Sequence, residues 1–265
     1  MISALILFLV LGAVAGVLAG LLGVGGGLVL VAALAWLLPT MGIPPGAAMH
    51  AALATSLASI VLTAAASARA HARRGSVLWP TVAWMVPGLL LGGWLGSAAA
   101  VRIDGDLLRY LVAGYCLLAA TQLLLGKVRE SGNAAPAPRG AWMTVAGVGI
   151  GSASAIVGIG GGSMTVPLLV WRGIAPVRAV GTSSACGVAI GLASAVGYAW
   201  HAPAGALPEY AVGYVYLPAA IGVAMASVLA APLGTALAHR FSGVTLKRVF
   251  AGFLLAVAVS LLVSD

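Results

Sequence analysis

The chain has 265 residues, of which 62% are hydrophobic and only 7% are charged, and its formal net charge is +8. A soluble domain carries about a quarter charged residues, so a chain with so few charges cannot cover a globular surface with polar groups. The composition excludes a soluble enzyme, a nucleic-acid-binding module and a secreted disulfide scaffold, and it predicts a protein that lies largely in lipid. The basic residues cluster between apolar runs, which is typical of membrane orientation signals, so we expect no nucleic acid as a partner.

Six apolar runs are long enough to cross a bilayer as a helix, which takes about 20 residues. They cover residues 47–68, 77–100, 107–125, 179–200, 209–238 and 246–263. Two further apolar stretches, residues 2–38 and 142–171, each contain a cluster of glycines. Because consecutive glycines are poor helix formers and permit positive φ, we expect each stretch to be two helical pieces joined by unwound backbone.

A polar, charged and proline-containing segment near residue 130 divides the chain almost in the middle. We interpret residues 1–126 as a first membrane repeat, 127–141 as a cytoplasmic linker and 142–265 as a second membrane repeat. The halves share three features in the same order, which indicates an internal duplication. These features are a glycine cluster beginning at Gly23 and Gly158, a Thr-Ser pair beginning at Thr55 and Thr182, and an Ala-Gly pair beginning at Ala113 and Ala251.

The charged loops predict that the two halves have opposite orientations in the membrane. The loop at residues 69–75 carries three arginines and is expected in the cytoplasm, whereas its counterpart at residues 201–209 carries one acid and is expected outside. Each glycine-broken stretch must then enter and leave on one side, as a re-entrant hairpin or as two short spans, and we favour the hairpin for residues 142–171. The predicted fold is an all-α polytopic membrane protein with two inverted-topology repeats, each with one broken segment and three transmembrane helices.

Unwound backbone at membrane depth is tolerated where protein buries it or where it lines a cavity. Inverted repeats with broken helices are the usual construction of secondary transporters, with the binding site at the repeat interface. The half-helices that start after Gly27 and Gly162 would present N–H groups and positive dipole ends, which suit an anion. The candidate substrate-binding residues are Gly25, Gly26, Gly27, Thr55, Ser56, Gly160, Gly161, Gly162, Ser163, Thr182 and Ser183.

Two alternatives stay open for these residues. The glycines could serve only the close packing of helices, and each hydroxyl could bond back to a carbonyl of its own helix. No acid, lysine or arginine lies at the centre of a predicted span, and no serine or cysteine has an evident histidine partner. We therefore expect no catalytic residue, no metal and no cofactor. A pH-sensing role for His50 or His201, near predicted span ends, is a minor alternative.

The two glycine clusters, Pro167 after the second cluster, and the AVGTS segment that ends at Ser183 resemble the sulfite exporter family TauE/SafE. The resemblance covers essentially the whole chain, although Ala32 stands in the first half where Pro167 stands in the second. It implies a permease of a bacterial-type inner membrane that exports a small anion such as sulfite or an organosulfonate. Alternating access around the two broken helices is the expected mechanism, and a passive anion channel that uses the same site stays open.

The expected partners follow from this interpretation. They are the small anionic substrate, the lipid bilayer and a coupling proton or ion. A homo-oligomeric assembly stays open, since nothing in the sequence decides between one chain and several.

Overall fold

The computed structural model describes residues 2–22, 26–125, 136–207, 209–238 and 243–263, and within them the chain is all-α apart from one small hairpin. The helices before the middle of the chain are α1 (Ile2–Leu22), α2 (Gly27–Thr40), α3 (Pro45–Arg73), α4 (Trp79–Ala100) and α5 (Gly105–Leu125). Those after it are α6 (Ala141–Val157), α7 (Gly162–Trp171), α8 (Pro176–His201), α9 (Leu217–Ala238) and α10 (Gly243–Val263). Strands β1 (Ala211–Val212) and β2 (Val215–Tyr216) pair antiparallel just before α9.

The structure confirms a polytopic membrane protein. Four of the described helices are long and apolar enough to cross a membrane, namely α3, α4, α8 and the Leu217–Gly234 part of α9. Helices α5 and α10 occupy the two other predicted runs. Each glycine-rich stretch is broken as expected, because α1 ends at Leu22 before α2 begins at Gly27, and α6 ends at Val157 before α7 begins at Gly162.

Two details of the prediction need correction or lie outside the description. The run at 209–238 is helical only from Leu217. Strands β1 and β2 form a hairpin directly before α9, and Tyr210 before β1 and Gly213 in the turn between the strands take positive φ, which a helix does not allow. In the predicted linker, residues 127–135 lie outside the described residues, and residues 136–139 have no regular structure before α6 begins at Ala141. Apolar composition alone does not distinguish a short buried hairpin from the start of a helix.

Helix α4 packs along α6 in the same direction, and glycines bring the two backbones together. A Cβ added to Gly88 would overlap the Thr144 carbonyl, and one added to Gly96 would lie 2.5 Å from the Ser152 carbonyl oxygen. Both residue numbers rise together along the pair, which gives the common direction. Close backbone approach through small residues is the usual way in which membrane helices associate, since lipid supplies no hydrophobic driving force between them.

Helix α1 packs along α9 in the same manner. A Cβ added to Gly12 would lie 2.8 Å from the Cα of Val223, and one added to Gly16 would lie 2.6 Å from the Cα of Ser227. The two pairs are therefore equivalent. Helices α6 and α1 are the first pieces of the two broken segments, and each packs on the helix of the other half that follows α3 or α8, namely α4 or α9.

Helices α3 and α8 cross the centre of the molecule in opposite directions. Gly191 approaches the carbonyl oxygen of Leu57, so that an added Cβ would lie 2.9 Å from it. Toward the other end of the pair, Gly181 approaches His71, with 3.0 Å between an added Cβ and the His71 Cβ. Residues of these two helices are among the most buried polar groups of the described chain, which points to the centre as the place for a site.

Each broken segment begins and ends at one end of the molecule. Just before α6, the Pro138 carbonyl accepts a hydrogen bond from Thr81 of α4 at 2.9 Å. Shortly after α7, the Thr182 hydroxyl of α8 accepts one from the N–H of Leu78 at 3.0 Å, next to the start of α4. At the opposite end, Phe8 of α1 contacts the Tyr216 ring just before α9. Helix α2 returns to that end, because it is joined to α3 by a short turn.

Candidate functional site

The two helix breaks meet beside the middle of α3. A Cβ added to Gly27 would lie 2.6 Å from the Gly158 carbonyl oxygen and 3.1 Å from the Cα of Ile159, so only glycine allows this approach. The Ser56 hydroxyl donates to the carbonyl oxygens of Gly27, at 3.2 Å, and Gly158, at 3.1 Å. One side chain therefore joins the break of the first half to the break of the second. We call Gly27, Ser56 and Gly158 the glycine junction.

Left-handed glycines set the direction of the two half-helices. Gly26 (φ 63°) precedes α2 and Gly161 (φ 75°) precedes α7, and neither helix start has a side-chain cap. A Cβ at Gly26 would overlap the Ala15 carbonyl, and one at Gly161 would overlap the Ile190 side chain. These two glycines are required by conformation and by space. Their role in the fold is therefore accounted for by the structure, and the predicted residue Gly25 lies outside the described residues.

The half-helices begin one residue earlier than the sequence suggested. Gly27 and Gly162 are the first helical residues of α2 and α7, so Ser163 lies within the first turn of α7. Uncapped helix starts leave backbone N–H groups available to a ligand and concentrate positive partial charge there. The structure thus places two such starts at the centre of the fold, although they belong to different halves of the chain.

Each of the two predicted threonines accepts a hydrogen bond from the backbone just before a long helix of the other half. The Thr55 hydroxyl accepts a hydrogen bond from the N–H of Tyr216, just before α9, at 3.0 Å. The Thr182 hydroxyl accepts from the N–H of Leu78, just before α4, at 3.0 Å, and donates to the Arg178 carbonyl at 2.7 Å. Each threonine therefore satisfies a backbone donor contributed by the other half of the chain, and Thr182 also makes the local back-bond that we had left open.

The two remaining predicted serines differ in their surroundings. The Ser163 hydroxyl hydrogen-bonds the Tyr115 hydroxyl of α5. The Ser183 side chain is 1% exposed, and its hydroxyl has no hydrogen-bond partner among the described residues. A buried hydroxyl without a partner costs free energy, about 1–3 kcal/mol, so Ser183 is the predicted residue most in need of a ligand.

A small cavity lies next to Ser183. Its volume is about 10 Å³, which is enough for about one water molecule. Helices α1, α3 and α8 and the unwound backbone between α6 and α7 form its wall, through Ala19, Ile60, Thr63, Ala64, Ser67, Gly160, Ser183, Ser184 and Gly187. Of the predicted site residues, Gly160 and Ser183 are thus brought together here.

The α3 hydroxyls of this cavity, Thr63 and Ser67, were not predicted from the sequence. Thr63 and Ser67 follow Ser59 at intervals of four residues, and the three side chains are buried. Residues four apart share one helix face, so this spacing was a readable signal of a polar stripe along α3. Ser184, also missed, hydrogen-bonds Ser67 at 3.1 Å.

A much larger cavity lies elsewhere, at the end of the molecule where α3 begins. It has a volume of about 540 Å³ and contains Asp104, Asp106 and Arg109. Two carboxylates beside one guanidinium make a poor site for an anion, because like charges repel. His50 lies near this end, where its Nε2 donates to the Ile103 carbonyl at 3.0 Å.

Comparison with known proteins agrees with this architecture. Residues 8–261 match the family described as Sulfite exporter TauE/SafE. A protein of Haemophilus influenzae named "Probable membrane transporter protein" is 35% identical over 264 residues, which cover 98% of this chain and 99% of the relative. A protein of Xylella fastidiosa with the same name is 32% identical over 266 residues, which cover 97% and 95%. No solved structure was found to match this chain.

The matched range, residues 8–261, extends over both halves of the chain. The names of the family and of the relatives indicate a membrane transporter rather than an enzyme. The apolar helices agree with a multi-pass membrane protein. The chain therefore belongs to the sulfite exporter TauE/SafE family of membrane transporters.

Proposed function

We propose that this protein is a secondary transporter that exports a small anion, such as sulfite or an organosulfonate, across a bacterial-type inner membrane. The observation that carries the proposal is the glycine junction, where one Ser56 hydroxyl bonds both broken segments. Transporters commonly bind their substrates between discontinuous helices at a repeat interface. The family name supports the substrate class, and the uncapped helix starts at the junction support an anion as the ligand.

The helix directions support an inverted-topology repeat of residues 1–126 and 142–265. Helices α3 and α8 hold corresponding Thr-Ser pairs and run in opposite directions. The two threonines make corresponding contacts, since each accepts the N–H that precedes the next long helix of the other half. The packing of the helices corresponds in the same way, since α1 of the first half packs on α9 of the second half and α6 of the second half packs on α4 of the first half. Because α1 packs on α9 and α4 on α6, the moving units are these two cross-half pairs, which rock about α3 and α8 and expose the junction to one side at a time.

The junction favours an anion for electrostatic reasons. Helices α2 and α7 both start there, at Gly27 and Gly162, without a side-chain cap. The acids that the structure describes, Asp104, Asp106 and Glu209, lie near helix ends and not at the junction. The Ser183 hydroxyl, which has no partner among the described residues, can donate its proton to an oxyanion. Positive dipole ends and free donors are the usual features of oxyanion sites in proteins.

The close packing at the glycine junction requires a conformational change before an anion can bind there. The cavity beside the junction is no alternative in this conformation, because about 10 Å³ holds one water and a sulfite ion needs several times that volume. The substrate therefore enters only when the two breaks separate, as alternating access demands. A passive channel would instead need an open path through the junction, and the close approach of Gly27 to Gly158 leaves no such path in this conformation, which supports alternating access.

Uptake of ³⁵S-labelled sulfite into proteoliposomes that contain the purified protein tests the proposal. We expect accumulation above the external concentration when a proton or sodium gradient is imposed, and loss of that accumulation when the gradient is collapsed. Flux that only equilibrates sulfite under every gradient would favour the channel. Absence of any flux for sulfite, together with flux for an organosulfonate, would replace the substrate and leave the transporter in place.

A further inference from the structure

The small cavity beside the junction is lined by four hydroxyl side chains among apolar residues, and no charged side chain lines it. Thr63 and Ser67 line it from α3, Ser183 and Ser184 line it from α8, and the unwound backbone at Gly160 closes it. All four hydroxyl side chains are at most 5% exposed. Ser183 faces this cavity with a hydroxyl that has no hydrogen-bond partner among the described residues.

The hydrogen bonds of three of these hydroxyls use their protons and leave lone pairs for a ligand. Thr63 donates to the Ser59 carbonyl at 3.1 Å and also hydrogen-bonds the Ser227 hydroxyl of α9, so its proton is used whichever of the two hydroxyls donates, and Ser184 donates to the Val180 carbonyl at 3.0 Å. Because the Ser184 proton is used in this way, the 3.1 Å bond between Ser67 and Ser184 takes its proton from Ser67. A hydroxyl carries one proton and two lone pairs, so these three groups face a ligand as acceptors.

We propose that this cavity is a Na⁺ site and that this ion is the one whose gradient drives transport; the second part rests on the proposed function. Neutral oxygens from hydroxyls and from unwound backbone are the ligands that transporters use for Na⁺ near broken helices. A cavity of about 10 Å³ admits a small monatomic ion and is too small for an oxyanion. The absence of a carboxylate from its lining disfavours Ca²⁺ and Mg²⁺, whose sites contain carboxylates.

Ser183 connects this ion to the anion site. Its proton is not used by a described partner, so it can donate to the anion while a lone pair faces Na⁺. The bound cation also offsets part of the cost of moving an anion next to a cavity whose described lining includes no basic side chain. Each ion therefore raises the affinity for the other, and such coupling is reciprocal.

Na⁺ binding is measured without transport, on the detergent-purified full chain. We expect retention of about one ²²Na⁺ per chain and a melting temperature several degrees higher in NaCl than in KCl or choline chloride of equal concentration, because a ligand stabilises the state that binds it. Equal melting temperatures in the three salts together with no retained ²²Na⁺ would overturn the site and leave a water in the cavity.

Two variants and a control locate the effect. Ser183→Ala removes a buried hydroxyl that has no described partner, so in KCl it should melt at or above the wild-type temperature, and in NaCl it should gain nothing. Thr63→Val keeps the shape and should also lose the NaCl shift. The control is Thr121→Val, since Thr121 is exposed on α5 and bonds only within its own helix. A full NaCl shift in both cavity variants would contradict the proposal.

The transport experiment separates this inference from the proposed function. Sulfite accumulation that needs an imposed Na⁺ gradient, and that Ser183→Ala abolishes, is the result we expect. Accumulation driven by a proton gradient in a protein that does not bind Na⁺ would refute the sodium site while the anion transporter stands. Na⁺ binding with accumulation that ignores the Na⁺ gradient would refute the coupling.

Discussion

Two glycines of α6 provide a matched test of the packing that supports the site. Gly151 is buried against α4, and a Cβ added there would lie 2.7 Å from the Leu89 carbonyl oxygen and 2.9 Å from the Gly93 nitrogen. Gly149, two residues earlier on the same helix, is exposed and would have no neighbour within 4 Å of an added Cβ. Substitution by alanine therefore changes helix propensity equally at both positions and changes packing at one.

The expected magnitudes follow from these distances. Alanine in a helix is favoured over glycine by about 1 kcal/mol, so Gly149→Ala should raise the free energy of unfolding by up to that amount. At Gly151 the same gain is opposed by overpacking, because ordinary contact begins near 3.4 Å and the backbones of α4 and α6 must separate. Overpacking costs about 1–3 kcal/mol. Because the gain in helix propensity is the same at both positions, Gly151→Ala should have a free energy of unfolding lower than that of Gly149→Ala by about this overpacking cost.

Unfolding by sodium dodecyl sulfate titration of the protein in mild detergent, followed by far-ultraviolet circular dichroism, measures the difference. We expect the Gly151→Ala midpoint to fall below both the wild type and the Gly149→Ala variant. Equal stability of the two variants would refute the close backbone contact between α4 and α6, and with it the placement of the α6 break beside α3.

Three other changes test separate parts of the account. Ser56→Ala leaves the carbonyl oxygens of Gly27 and Gly158 without their shared donor, so we expect the free energy of unfolding to fall by about 1 kcal/mol. The melting temperature should fall with it, and sulfite uptake should slow. Thr182→Val removes the acceptor for the N–H that precedes α4, so stability should fall while the KM for sulfite stays unchanged, and a raised KM with full stability would restore it as a ligand. Glutamine at Arg69, Arg73 and Arg74 together should disturb the orientation of the chain, measured by the accessibility of engineered loop cysteines, whereas a raised KM in a correctly oriented chain would contradict their role.

The helices and their breaks were predictable because they depend on local composition. A long apolar run predicts a span by its length alone, and clusters such as Gly158 to Gly162 interrupt a helix whatever surrounds them. The helical pieces on either side of that cluster were confirmed. The hairpin before α9 was not predicted, since the apolar residues of Ala211–Tyr216 are equally compatible with a helix.

The chemistry of the site depends on distant residues and was only partly predictable. The Thr-Ser pairs were identified by their repetition, but the partner of the Thr55 hydroxyl is the N–H of Tyr216, which belongs to the other half of the chain. The cavity combines Thr63 of α3 with Ser183 of α8 and the backbone at Gly160. Such a combination is formed only by the packing of the two halves, so no local pattern could reveal it.

The central claim is that transport takes place where the two breaks meet, and a methyl group at Gly160 tests it directly. Gly160 has no positive φ, and an added Cβ would lie 3.0 Å from the Cγ2 methyl of Ile60, which a shift of a few tenths of an ångström relieves, so Gly160→Ala should fold. We would measure the initial rate of ³⁵S-sulfite uptake per inserted protein, with proton and sodium gradients imposed together, and use Gly149→Ala as the control. The account predicts a rate at least about tenfold lower for Gly160→Ala and an unchanged rate for the control, a loss of about 1.4 kcal/mol in transition-state stabilisation. Wild-type uptake by a fully inserted Gly160→Ala protein would contradict it.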